Sequence, residues 1–189
     1  MHAAGLATIA CYYFDFRDIK KQDLYGLLSS LISQLSAQLD SCHKVLSQFY
    51  LDHATGMQRP TTTTLTKCMK DMLSMPGQGP IYIVVDALDE CPDVSGRMPS
   101  AREEVLELFV ELVGLNLSNL HLCVASRPEI GIRKTLEPLE PLQISIHDES
   151  GQKDDIIQYI KSVVRKMRSW RDEDKELVIE VLSGKAAGM

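Results

Sequence analysis

The sequence has no excess of positive charge. Its 189 residues carry 20 Lys and Arg against 26 Asp and Glu, a formal net charge of −6. That argues against non-specific nucleic-acid binding, which needs a basic face. No apolar run approaches the roughly 20 residues of a membrane-spanning helix, so no membrane partner is expected. The first residues, Met-His-Ala-Ala-Gly-Leu, have no basic n-region, and Asp15 soon interrupts the apolar stretch after them; no signal peptide is read. The five cysteines (Cys11, Cys42, Cys68, Cys91 and Cys123) are scattered and form no C-x-x-C pair. A reducing, cytoplasmic setting without disulfides is the simplest reading. The five histidines show no metal-ligand spacing, and Cys42-His43 alone reads as structural. What remains is an ordinary globular composition, 44% hydrophobic and 24% charged, in a chain sized for one domain with a small appendage.

One stretch organises the rest. Ile81–Glu90 reads Ile-Tyr-Ile-Val-Val-Asp-Ala-Leu-Asp-Glu, with Pro76, Gly77, Gly79 and Pro80 before it and Cys91, Pro92 and Asp93 after. A continuous apolar run between breakers predicts a strand buried on both faces, as in parallel sheets. Asp86 then stands at the strand's carboxyl end, where open α/β sheets place their ligand chemistry. With Asp89 and Glu90 following, the cluster suits a hydrated magnesium and an oriented water. The pattern looks like a Walker B motif. The plainer alternative is an aspartate that forms a turn or caps a helix.

Along the chain, β-branched and aromatic residues predict a strand over Thr8–Phe16. Asp23 caps a helix over Leu24–Leu39, whose leucines recur at three- and four-residue steps. Further helices are expected over Ser41–Asp52 and Thr63–Met75. Ser100 and Glu103 fit a capping box for a helix over Ala101–Val113. A short strand, Leu120–Ala125, runs into Ser126-Arg127-Pro128-Glu129 and a short helix to Leu136. A fourth strand is expected over Leu142–Ile146, and helices over Asp154–Met167 and Asp172–Leu182 close the chain. Strands separated by helices predict a parallel α/β sheet. The domain reading is a core over residues 1–147 and the start of a helical module over 148–189.

Three pieces in this order carry a resemblance: Tyr12-Tyr13-Phe14-Asp15-Phe16, Val84-Val85-Asp86-Ala87-Leu88-Asp89-Glu90, and Ala125-Ser126-Arg127-Pro128-Glu129. Together they resemble the NACHT branch of the STAND P-loop NTPases, and among these the fungal NLR-like proteins with a nephrocystin-like N-terminal domain. The resemblance implies a three-layer P-loop NTPase-like core followed by helices. It implies ATP and Mg2+ as the ligands of intact members. Asp86 resembles the Walker B aspartate that holds magnesium through water, and Asp89 and Glu90 resemble the acidic positions that orient the attacking water. Arg127 resembles a sensor arginine for the γ-phosphate; its plainer reading is a surface cation pairing with Glu129 or capping a helix. Protein partners, or self-association through the STAND module, are implied as well.

The sequence departs from that family in one respect. No G-x-x-x-x-G-K-[ST] occurs in it, and that loop supplies the backbone cradle, the phosphate lysine and the magnesium hydroxyl. In the family the P-loop strand lies centrally, between the strands expected at Leu120–Ala125 and Leu142–Ile146. Its absence leads us to expect a truncated or degenerate copy, inactive as an ATPase on its own. A non-catalytic interaction module, or decoy, that docks on full-length NACHT proteins is the alternative.

Overall fold

The computed structural model describes residues 7–52, 59–93, 99–144 and 150–186. Three strands, β1 (Thr8–Tyr13), β2 (Ile81–Asp86) and β3 (Leu120–Val124), form a parallel sheet in the order β1-β2-β3. The parallel α/β class is therefore as the sequence predicts. β2, the most apolar strand, is central. Its side chains alternate: Ile81, Ile83 and Val85 are buried, whereas Tyr82, Val84 and Asp86 are half-buried. The expectation of burial on both faces is thus corrected to full burial on one. The reason lies in the core, whose fully buried strand members, Ala10, Tyr12, Ile81, Ile83 and Val85, all project from a single face. On the other face Tyr82 stacks on His121 (centroids 4.6 Å apart), and His121 and Cys123 stay exposed.

The helices supply the rest of that core. α1 (Leu24–Gln38) buries Leu24, Leu27, Leu28, Leu31, Ile32 and Leu35, the stripe read from sequence. Asp23 caps it, accepting from the Gly26 N–H at 2.8 Å. α2 (Asp40–Asp52) buries only Cys42, and its Tyr50 is 66% exposed. α3 (Thr62–Leu73) contributes Leu65, Cys68, Met69, Met72 and Leu73. α4 (Ala101–Gly114) opens with the expected Ser100–Glu103 capping box and buries Arg102, Val105, Leu106, Leu108, Phe109 and Leu112. α5 (Ile130–Leu136) follows the Ser126–Glu129 turn.

The two edges of the sheet differ. Alternate residues of β1 direct their N–H and C=O away from β2, and two glutamines of α1 satisfy them. Gln38 accepts from the Ile9 N–H (3.2 Å) and donates to the Ile9 carbonyl (2.8 Å). Gln34 does the same for Cys11, at 2.9 and 2.7 Å. These primary amides imitate a neighbouring strand and close the edge, the hazard that unprotected edge strands present. No described strand pairs with the far side of β3.

A second compact unit spans Leu142–Met189. The expected domain boundary at 147 lies outside the described residues. Leu142–Ile144 form no strand and Leu142 is 91% exposed, which corrects the fourth strand as far as it is described; residues 145 and 146 lie outside. An extended segment becomes a strand only with a partner for its backbone groups, and none of the described strands pairs with this one. α6 (Ser150–Arg165) and α7 (Asp172–Ala186) pack on each other. Among their described side chains Val164 and Ile179 are buried, while Tyr159, Leu177, Val181 and Leu182 are exposed, as is Trp170 between the helices.

Candidate functional site

β2 delivers the acidic cluster to the carboxyl edge of the sheet. Asp86 is its last residue, and the Asp86 Oδ1 accepts from the next N–H, that of Ala87, at 2.8 Å. Ala87 adopts the left-handed region (φ 54°), unusual for a residue with a Cβ. That turn sends the chain into one 3-10 turn, Leu88–Glu90, with Leu88 buried beneath it. Strand, reversal and turn thus separate Asp86 from Asp89 and Glu90.

Asp89 and Glu90 share a concavity of about 420 Å3 with Phe16, Arg102, Arg127 and Glu129. Asp86 does not line it. A second hollow of about 360 Å3, between α2 and α3, is lined by none of these residues. Within the first, Asp89 is held inward, its side chain 11% exposed. Its Oδ1 accepts from the Arg127 N–H (3.1 Å) and the Ser126 hydroxyl (3.4 Å), and its Oδ2 faces Arg127 Nε at 3.5 Å. The turn after β2 is thereby tied to the turn after β3. Glu90 crosses the other way: its Oε2 accepts from the Phe16 N–H at 3.1 Å, joining the segment after β1. Three consecutive strand ends meet through two carboxylates.

Arg127 projects outward, with its side chain 83% exposed. Its acidic partner is Asp89, whereas the plainer sequence reading gave it Glu129. Glu129 instead pairs with Arg102, a residue that sequence reasoning passed over. Arg102 lies at spacings of three, four and seven residues from Val105, Leu106 and Phe109. A cation on the apolar stripe of a helix is the signal that would have found it.

Cys91 closes the floor. Its thiol donates to the Gln22 carbonyl (3.4 Å), and burial pushes its pKa up to about 12. A thiol held protonated is a poor nucleophile. The described residues contain no group of three or more His, Cys, Asp or Glu that could hold a metal by themselves. The donor set fits a magnesium bound chiefly through water and phosphate oxygens, which needs one or two carboxylates from the protein. It does not furnish a phosphate cradle.

Strand order and strand-end acids define a parallel α/β domain with acidic and arginine side chains at the carboxyl edge of its sheet. The family model for nephrocystin 3, N-terminal, matches residues 2–127, about two thirds of the chain. The chain belongs to that nephrocystin-like N-terminal family. No curated protein and no solved structure matches it. No described helix is long and apolar enough to cross a membrane.

Proposed function

We propose that this chain carries the magnesium and γ-phosphate side of a NACHT-type nucleotide-binding domain, as in STAND signalling ATPases of the NLR-like kind. The observation that carries the reading is the Asp89–Arg127 link. It brings the acidic turn after β2 and the arginine turn after β3 together at one edge of the sheet, where open α/β domains bind their ligands. The four residues then divide the work. Asp86 would anchor the water shell of Mg2+. Glu90, half-buried and with one carboxylate oxygen committed to Phe16, would orient a water with the other. Asp89 holds Arg127, whose exposed guanidinium would meet the terminal phosphate, a cation placed where charge develops. Because the sequence has no phosphate-cradling loop, the chain alone should turn over ATP little or not at all.

The test is a thermal-shift titration of the 189-residue chain with ATP and magnesium. Ligand at a hundred times its dissociation constant adds about 2.7 kcal/mol. A saturable rise in the midpoint, lost in Asp86→Ala, is the expected result. A cooperatively folding chain with no shift would refute it.

A second reading has its own support. Asp89 and Glu90 both satisfy backbone N–H groups of this chain, as carboxylates of a scaffold would. On that reading the domain is a non-catalytic module that docks on full-length relatives, and the absent shift is its expected result.

A further inference from the structure

Arg102 is the one arginine of the described residues whose side chain is buried, at 9% exposure. It stands in the first turn of α4, where the helix dipole opposes a cation. All three of its guanidinium nitrogens are engaged. Nε donates to the Cys91 carbonyl at 2.9 Å and Nη2 to the Asp89 carbonyl at 2.8 Å. Nη1 pairs with the Glu129 carboxylate and faces Asp93 Oδ2 at 3.6 Å. A hydrophobe of similar volume would fill the same space but leave the Cys91 and Asp89 carbonyls without this donor. Nor could it fix two loops to one another.

We infer that Arg102 is the positioning residue of this site: its planar fork holds the turn after β2 through the Asp89 and Cys91 carbonyls, and the turn after β3 through Glu129. The inference rests on the nucleotide reading for its purpose but not for its geometry. Arg102 grips Asp89 from the backbone side, and Asp89 grips Arg127 from the side-chain side. The two cross-links therefore act in series, and the placing of Arg127 depends on both. Glu90 follows Asp89 in the same 3-10 turn, so its bond to Phe16 depends on Arg102 as well, but not on Glu129. Lysine cannot replace this arginine. One ammonium on a flexible stem does not reach three acceptors lying in the plane of a guanidinium.

Residue-resolved amide hydrogen exchange tests the clamp without any ligand. In Arg102→Lys the Arg127 and Phe16 amides, which donate to Asp89 and Glu90, should exchange about tenfold faster, while the central amides of Ile83 and Val85 keep their wild-type rates. Glu129→Ala, a change at a half-exposed position, should speed Arg127 alone and leave Phe16 as it was. Acceleration of Ile83 and Val85 in step with Arg127 would reduce Arg102 to a general stabiliser and overturn the inference. So would unchanged Arg127 exchange in Glu129→Ala, which decides the matter if Arg102→Lys does not fold. A wild-type chain that gives no shift with magnesium and ATP counts against the nucleotide reading alone, and the exchange pattern still decides the clamp.

Discussion

The closure of the β1 edge offers the sharpest quantitative test of the fold. Gln34 and Gln38 each make a matched pair of hydrogen bonds to one residue of β1, donating to its carbonyl and accepting from its N–H. Truncating both to alanine removes the four bonds to β1, each worth about 0.5–1.5 kcal/mol net, and two bonds of smaller consequence within α1, from Gln34 to the Ser30 hydroxyl and from Gln38 to the Gln34 carbonyl. Ile9 and Cys11 are half-buried, so water replaces part of what is lost. Alanine also gains a few tenths of a kcal/mol as a better helix former. The balance is a loss of about 2–3 kcal/mol for the double variant, read as a fall in the urea midpoint at unchanged m-value. Glutamate separates bonding from mere bulk. It has the shape of glutamine and still accepts from the N–H, but it sets a carboxylate oxygen against each carbonyl where an N–H stood. Gln34→Glu with Gln38→Glu should therefore cost at least as much as the double alanine at pH 7 and recover partly as the pH falls and the carboxylates protonate. A further sign is self-association of the alanine variant, because an unprotected edge pairs with other chains. A double glutamate variant as stable as wild type, monomeric by sedimentation, would show that these amides do not hold the edge.

Other consequences are simpler to state. Gly26 lies where α1 crosses β1: a Cβ there would stand 2.8 Å from the Tyr12 hydroxyl and closer still to the Lys20 carbonyl. Gly26→Ala should cost about 1–3 kcal/mol as an overpacked contact, and an unaltered urea midpoint would contradict the close approach. Tyr12 itself is 6% exposed and its hydroxyl has no partner among the described residues, so Tyr12→Phe should raise stability by about 1 kcal/mol; a loss would mean the hydroxyl is satisfied by a buried water. The Cys91 thiol, ordinarily near 9.0, is held up to about 12 by burial. Above pH 9 the unfolded chain sheds this proton and the folded one keeps it, so stability falls with rising pH, by at most about 1.4 kcal/mol per unit for this thiol. Thermal midpoints between pH 8 and 11 should fall less steeply in Cys91→Ala, and parallel curves would remove Cys91 from the alkaline transition.

Much of the fold was legible because its signals are local. The leucine stripe of α1, the Asp23 cap and the Ser100–Glu103 box each declare themselves within a few residues, and the helices they start fall where periodicity put them. The three strands likewise follow from short apolar runs, β-branched in β2, partly aromatic in β1 and leucine-rich in β3. Pattern could not tell how many faces of β2 are covered, since an apolar run looks the same whether one layer of helices or two packs on the strand. Leu142–Ile144 failed as a strand for a related reason: strand propensity is a property of the segment, but pairing requires a neighbour. The glutamine closure of β1 was invisible because its partners lie 23 and 29 residues apart.

Within the site, the sequence grouped Asp86, Asp89, Glu90 and Arg127 by their order, and geometry separates them by what their remaining lone pairs can do. A carboxylate offers about four acceptor positions. Asp89 is buried nearly to its oxygens and meets two donors at one oxygen and the Arg127 guanidinium at the other. A water placed at the outer face of Asp89 would have to displace Arg127. Glu90 has one N–H on one oxygen and remains half-open. If a water is oriented here, Glu90 orients it and Asp89 carries the frame. Adjacent acids in the sequence thus take different roles, because a left-handed turn at Ala87 and a guanidinium from α4 rotate one inward and leave the other at the rim.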